Sequence, residues 1–183
     1  KTRRISYAAS FGISDWDYDD EETAQCAKLI KRFHAVSVRE DTGVELCRNH
    51  LGVNAEHVID PTMLLSVDRY IQLIDQPEKK FSGILVYLLD SDSGKKRLID
   101  YVVARLGLPA FSVNVESENK KISPHLRVAP PVEDWLRGFR DASFVITDSF
   151  HGTVFSILFN KPFIACGNPG RGMARFYSLL KVF

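Results

Sequence analysis

Residues 143–162, SFVITDSFHGTVFSILFNKP, hold the pattern that decides the fold. Ser143 to Thr147 is short, apolar and β-branched, as a buried strand requires, whereas Phe150, Val154, Ile157 and Leu158 recur at i, i+4, i+7 and i+8, one face of a helix. The period changes at Asp148-Ser149, and either side chain is suited to cap the helix by accepting an N–H of its first turn. His151 and Gly152 fall within that turn. In open α/β sheets ligands bind beyond the carboxyl ends of the strands, where helix N-terminal amides favour phosphate or carboxylate. The stretch therefore predicts an anion site carrying one titratable imidazole.

Outward from this stretch the same alternation continues. After residue 81 the pattern reads strand (83–89), helix (95–106), strand (110–115), a long loop (116–131), helix (132–141), the strand and helix already described, strand (162–166) and a last helix. This order predicts a parallel sheet with helical crossovers. Upstream, ISYAAS (5–10), HAVSVR (34–39) and HVID (57–60) read as three short strands, the last broken by Pro61, which cannot donate to a ladder. A helix runs to about Phe33, another carries Val44, Leu46, Cys47 and Leu51 up to Gly52, and a third spans 67–74. The polar link DQPEKK (75–80) then divides the chain into two α/β parts, residues 1–75 and 76–183. The first residues enter a strand directly and the last lie inside an amphipathic pattern, so the expectation is a chain incomplete at both ends.

Composition narrows the classes of function. A content of 45% hydrophobic residues supports a real core, and 24 basic against 23 acidic side chains leave a net charge of +1. No global field draws in nucleic acid, so any preference for anions is local. Cys26, Cys47 and Cys166 are far apart, without the spacing of a zinc site or a disulfide framework, which fits a reducing cytoplasm. No apolar run approaches the roughly 20 residues of a membrane span.

Several residues are candidates for chemistry. Arg39 stands at a second strand-to-helix junction, as a clamp for carboxylate or phosphate or as a surface partner of Glu40 or Asp41. Asp60 is either a functional carboxylate or the cap of its own turn. The acidic run WDYDDEE (16–22) reads as a metal site or as a solvated entry to a helix, the second favoured by the helix dipole. His125 lies in the long loop, as a ligand contact or simply exposed. In the last loop, GNPGRG (167–172), three glycines precede a helix, and Arg171 and Arg175 share a face if that helix starts at Arg171. This is a second anion cradle or a plain glycine turn. It is neither a P-loop nor a dinucleotide fingerprint.

Taken together, ISYAASFG, VSVRE, HVIDPTMLL, DWLRGFRDASFVITDSFHGTVFSILFNKPF and RGMARF resemble the polysaccharide pyruvyl transferase family, in order and spacing across most of the chain. The resemblance implies a GT-B-like arrangement of two Rossmann-like domains facing a cleft. It also implies transfer of the enolpyruvyl unit of phosphoenolpyruvate onto a sugar as a cyclic ketal. The acceptor would be a polysaccharide or its lipid-linked precursor, handled in the cytoplasm, with peripheral association at the inner face of the membrane. Neither cofactor nor metal is implied. The family's basic residue after the strand matches Arg39, and its histidine at the start of the late helix matches His151, the expected proton-moving group. Asp148, Ser149 and Gly152 flank it as substrate-binding positions, together with Asp60. Where better-described members carry Arg-Leu-His, this chain has Ser149-Phe150-His151, so Arg171 or Arg175 would supply the missing guanidinium. Two other readings share the same frame: a nucleotide-sugar-dependent glycosyltransferase, and a glycan- or anion-binding module without catalysis.

Overall fold

The computed structural model describes residues 2–74, 80–90, 92–114, 123, 128, 130–168, 170 and 172–183. Two compact units divide the chain, one made of Lys1–Leu64 with Gly167–Phe183, the other of Leu65–Cys166. The division falls ahead of the polar link at which the sequence places it, and the last segment clusters with the first unit instead of the second. Local composition marks a link but carries no signal for where a returning tail packs.

The first unit has a three-stranded parallel sheet, β1 (Ile5–Ala9), β2 (Ala35–Val38) and β3 (Glu56–His57), in the order β1-β2-β3. Between the first two strands runs α1 (Asp20–Ile30). The acidic run before it is a cap: Asp19 accepts from the N–H of Glu22 and the Glu22 side chain answers at the N–H of Asp19. After β2 comes α2 (Asp41–Leu46), which widens into a π-turn over Cys47–Leu51 and ends at Gly52, whose φ of 64° places it in the left-handed region. Val38, Cys47 and Leu51 form the core on this side, with Phe11, Trp16, Ile30 and Val44 packed around them. The third strand covers only Glu56–His57, so Asp60, expected at a strand end, lies in a turn that leads into a 3-10 segment over Pro61–Leu64. The unit closes with α7 (Ala174–Val182), in which Ser178 hydrogen-bonds Asp41.

The second unit begins with the short helix α3 (Val67–Ile71) and is built on a four-stranded parallel sheet in the order β5-β4-β6-β7. Its strands are β4 (Ile84–Tyr87), β5 (Ala110–Phe111), β6 (Phe144–Thr147) and β7 (Phe163–Ala165), connected through α4 (Ser93–Leu106), α5 (Val132–Asp141) and α6 (Phe150–Leu158). Side chains alternate across the sheet. Ile84, Ile146, Val86 and Phe144 pack with Val102, Leu98 and Val103 of α4 on one face. On the other, Tyr87 meets Trp135 and Phe139 of α5, and Phe155 of α6 joins the same aromatic cluster. Helices on both faces of a parallel sheet make this unit Rossmann-like.

Candidate functional site

The junction of β6 and α6 is assembled from short-range hydrogen bonds. Thr147, the last residue of β6, is fully buried; its hydroxyl donates to the Tyr87 carbonyl (2.8 Å) and accepts the N–H of Ser149 (3.1 Å). Of the two capping candidates it is Ser149 that caps, its oxygen accepting the N–H of Gly152 at 3.2 Å. Asp148 does something else. Its buried carboxylate accepts the N–H groups of Leu89 (2.6 Å) and Asp90 (3.1 Å) and an ion pair from Lys95 Nζ (2.7 Å). Burial works against the charge on Lys95, but the hydrogen bond and the negative charge of Asp148 outweigh it and raise the ammonium pKa.

Gly152 is a position of close approach. A Cβ there would stand 2.2 Å from Thr147 Oγ1 and 3.1 Å from Tyr87 Cδ1. With glycine, the first turn of α6 settles directly on the ends of β6 and β4. Phe150 turns inward at 5% exposure, and His151, the next residue, is exposed on that turn with its ring edge-on to Phe150. An imidazole open to solvent at the positive end of a nine-residue helix is therefore placed beyond the carboxyl end of β6.

In the first unit Arg39 follows β2, but its partner is neither Glu40 nor Asp41. Its Nη1 pairs with Asp60 Oδ2 at 2.5 Å, and Asp60 Oδ1 accepts from the N–H (3.0 Å) and the hydroxyl (2.7 Å) of Thr62. Both readings of Asp60 thus meet in one carboxylate, which caps its turn and holds a guanidinium. Glu40 is fully buried and accepts from the Ser10 hydroxyl and from the N–H groups of Phe11 (3.3 Å) and Gly12 (3.4 Å). Asp41 is engaged by α7: Lys181 and then Ser178 hold its carboxyl down to a pKa of about 2.

The glycine loop is used for packing within this unit. A Cβ on Gly172, whose φ is +80°, would strike the Gly12 carbonyl at 1.8 Å, and one on Gly167 would strike Met173 Sδ at 2.3 Å. Since α7 starts at Ala174, Arg175 lies on its first turn. Arg171 and His125 lie outside the described residues.

The predicted positions therefore fall into two groups. Arg39, Asp60 and Arg175 belong to the first unit, and Asp148, Ser149, His151 and Gly152 to the second. Sequence reasoning missed Lys95 and Glu40. Lys95 had a signal, because SGKK opens a helix after a strand just as SFHG does; Glu40 stood in the quoted VSVRE and was passed over for its neighbour. Among the described residues no group of three or more His, Cys, Asp or Glu side chains is placed to hold a metal ion, and no helix is long and apolar enough to cross a membrane.

Compared with known families, the chain matches the family model described as polysaccharide pyruvyl transferase over residues 1–170. No curated protein matches it.

Proposed function

The chain belongs to the polysaccharide pyruvyl transferase family, and on that premise we propose that it transfers the enolpyruvyl unit of phosphoenolpyruvate to a sugar as a ketal, with release of phosphate. Membership makes it a transferase and implies a polysaccharide acceptor. The observation that carries the finer reading is the exposed His151 on the first turn of α6.

The donor presents a phosphate and a carboxylate, so it calls for two pockets rich in cations or N–H groups, and guanidinium forks suit both. In this reading Arg39, Arg175 and Arg171 supply forks, and the amide end of α6 supplies the second unit's contribution. Asp60 acts at one remove by holding Arg39. Asp148, Ser149 and Gly152 act by fixing where the first turn of α6 begins. The reading includes a GT-B-like pairing of the two units around a shared cleft, and a cytoplasmic enzyme working on free or lipid-linked glycans.

Proton transfer to the methylene carbon creates an oxocarbenium-like centre, which one sugar hydroxyl attacks. A second hydroxyl then bonds to the same carbon as its bond to the phosphate oxygen breaks, closing the ring. Each hydroxyl gives up one proton; one balances the proton gained by the methylene group and the other leaves with phosphate. Moving these protons needs a general acid–base group beside the donor, and His151 is assigned that role.

His151→Ala tests the assignment. Turnover, read as phosphate released from phosphoenolpyruvate in the presence of methyl glycosides, should fall by roughly 100- to 10,000-fold while the melting temperature stays put. Near-normal turnover refutes it. Phosphoenolpyruvate should also raise the melting temperature where a nucleotide sugar does not, through preferential binding to the folded state.

A further inference from the structure

The amino-terminal end of the first unit's sheet, opposite the end that carries Arg39, gathers positive charge. Arg3 and Arg4 lead into β1, and Lys31 and Arg32 follow α1 on the way into β2. Backbone contacts join the two stretches: the His34 N–H donates to the Arg4 carbonyl at 2.8 Å, and the Arg4 N–H donates to His34 Nδ1 at 3.4 Å. Lys28 lies one turn before Lys31, on the same face of α1. All five cations are exposed, and none makes an ion pair among the described residues. Arg4, Lys28 and Arg32 are each followed directly by an exposed apolar side chain, Ile5, Leu29 and Phe33.

We propose that this end of the first unit docks on an anionic lipid surface. The dipole of α1 accounts for the acids in its first turn and for Lys28 in its last, but not for Arg3 and Arg4, which belong to no helix. In a chain whose net charge is only +1, unpaired cations drawn together from two segments repel one another, and an anionic partner relieves that repulsion. The interleaved apolar side chains select the kind of partner. At a bilayer, basic residues meet headgroup phosphates while apolar ones enter the boundary beneath; a nucleic acid offers the phosphates without that apolar layer. Each Lys or Arg at an anionic bilayer is worth about five-fold in binding, so the patch supplies reversible docking and not a permanent anchor. Because β1 and β2 run away from the patch, docking there leaves the Arg39 end of the sheet uncovered. The docking surface does not rest on the pyruvyl-transfer reading.

Co-sedimentation with vesicles tests it, using phosphatidylcholine alone and phosphatidylcholine mixed with phosphatidylglycerol. The unaltered chain should sediment with the mixed vesicles and not with the neutral ones, and added salt should weaken the binding by screening exposed charges. Lys31→Gln combined with Arg32→Gln should weaken it roughly 25-fold. Both side chains are exposed, so the melting temperature should hold, and so should any release of phosphate from phosphoenolpyruvate with a soluble glycoside. Leu29→Gln, which leaves the charge unchanged, should weaken vesicle binding several-fold. No binding to the mixed vesicles, equal binding to both kinds, or unchanged binding in the Lys31/Arg32 double variant overturns the proposal. Duplex DNA bound as tightly as the mixed vesicles, with Leu29→Gln without effect on either, makes the patch a general polyanion site and overturns it as well. Patch-dependent vesicle binding by a protein that releases no phosphate upholds the docking surface, and the transfer reading then fails alone.

Discussion

Gly152→Ala sets two effects of opposite sign against each other. Alanine is preferred to glycine inside a helix by about 1 kcal/mol, so on propensity alone the variant gains stability. The new Cβ, however, would lie 2.2 Å from Thr147 Oγ1 and 3.0 Å from Thr147 Cβ. Thr147 is fully buried and its hydroxyl serves both the Tyr87 carbonyl and the Ser149 N–H. It has no rotamer to escape into without breaking both bonds. Overpacking costs about 1–3 kcal/mol, and each broken hydrogen bond adds about 1 kcal/mol. After the propensity gain is subtracted, the net loss is about 2–4 kcal/mol. In a chain of this size that corresponds to a fall of roughly 5–15 °C in melting temperature, measured by calorimetry or circular dichroism. Thr147→Ala removes the offending oxygen, so the double variant should be at least about 1 kcal/mol more stable than the two single losses added together. A Gly152→Ala protein that melts at or above the unaltered temperature, or a double variant that is simply additive, refutes the packing argument.

Two further perturbations test the ionic contacts. Asp148→Asn leaves Lys95, whose side chain is only 12% exposed, beside a neutral amide, and should cost about 3 kcal/mol in urea unfolding; adding Lys95→Met should restore part of it. Asp41, by contrast, is a pH probe. Its carboxyl falls from the ordinary 3.8 to about 2 in the folded state, chiefly through the hydrogen bond from Lys181. A depressed folded value means the contribution is present above pH 3.8 and is lost as pH drops through about 2. With Asp41 34% and Lys181 67% exposed, solvent screening leaves only about 1 kcal/mol. The stability gap between the unaltered chain and Asp41→Asn should hold from neutrality to about pH 4 and close toward pH 2; a gap that is constant over that interval removes the pair from the account.

What could be read from the sequence was local. The change of period at Asp148-Ser149 located β6, its helix and His151, because both periods are written in consecutive residues. Gly52 ended its helix in the left-handed conformation for the same reason. Family membership was legible in the order of the motifs. The rest depended on contacts between distant residues. Arg39 was weighed against its neighbours, yet its carboxylate partner is Asp60, 21 residues on, and Asp41 is taken by a helix 137 residues away. The glycines of the last loop read as freedom to cradle a ligand, whereas two of them allow the loop to press on Gly12 and on Met173.

Glu40 and Asp148 occupy equivalent places: each follows a strand of its sheet and receives backbone N–H groups from the loop that leaves the neighbouring parallel strand. Each sheet thus carries an internal rivet at the carboxyl ends of its strands, set by one carboxylate and the main chain of another segment. Because the main chain is what is fastened, side chains on the riveted loops are free to vary without widening the rim. The loops can therefore change in sequence while the strand ends they leave stay fixed.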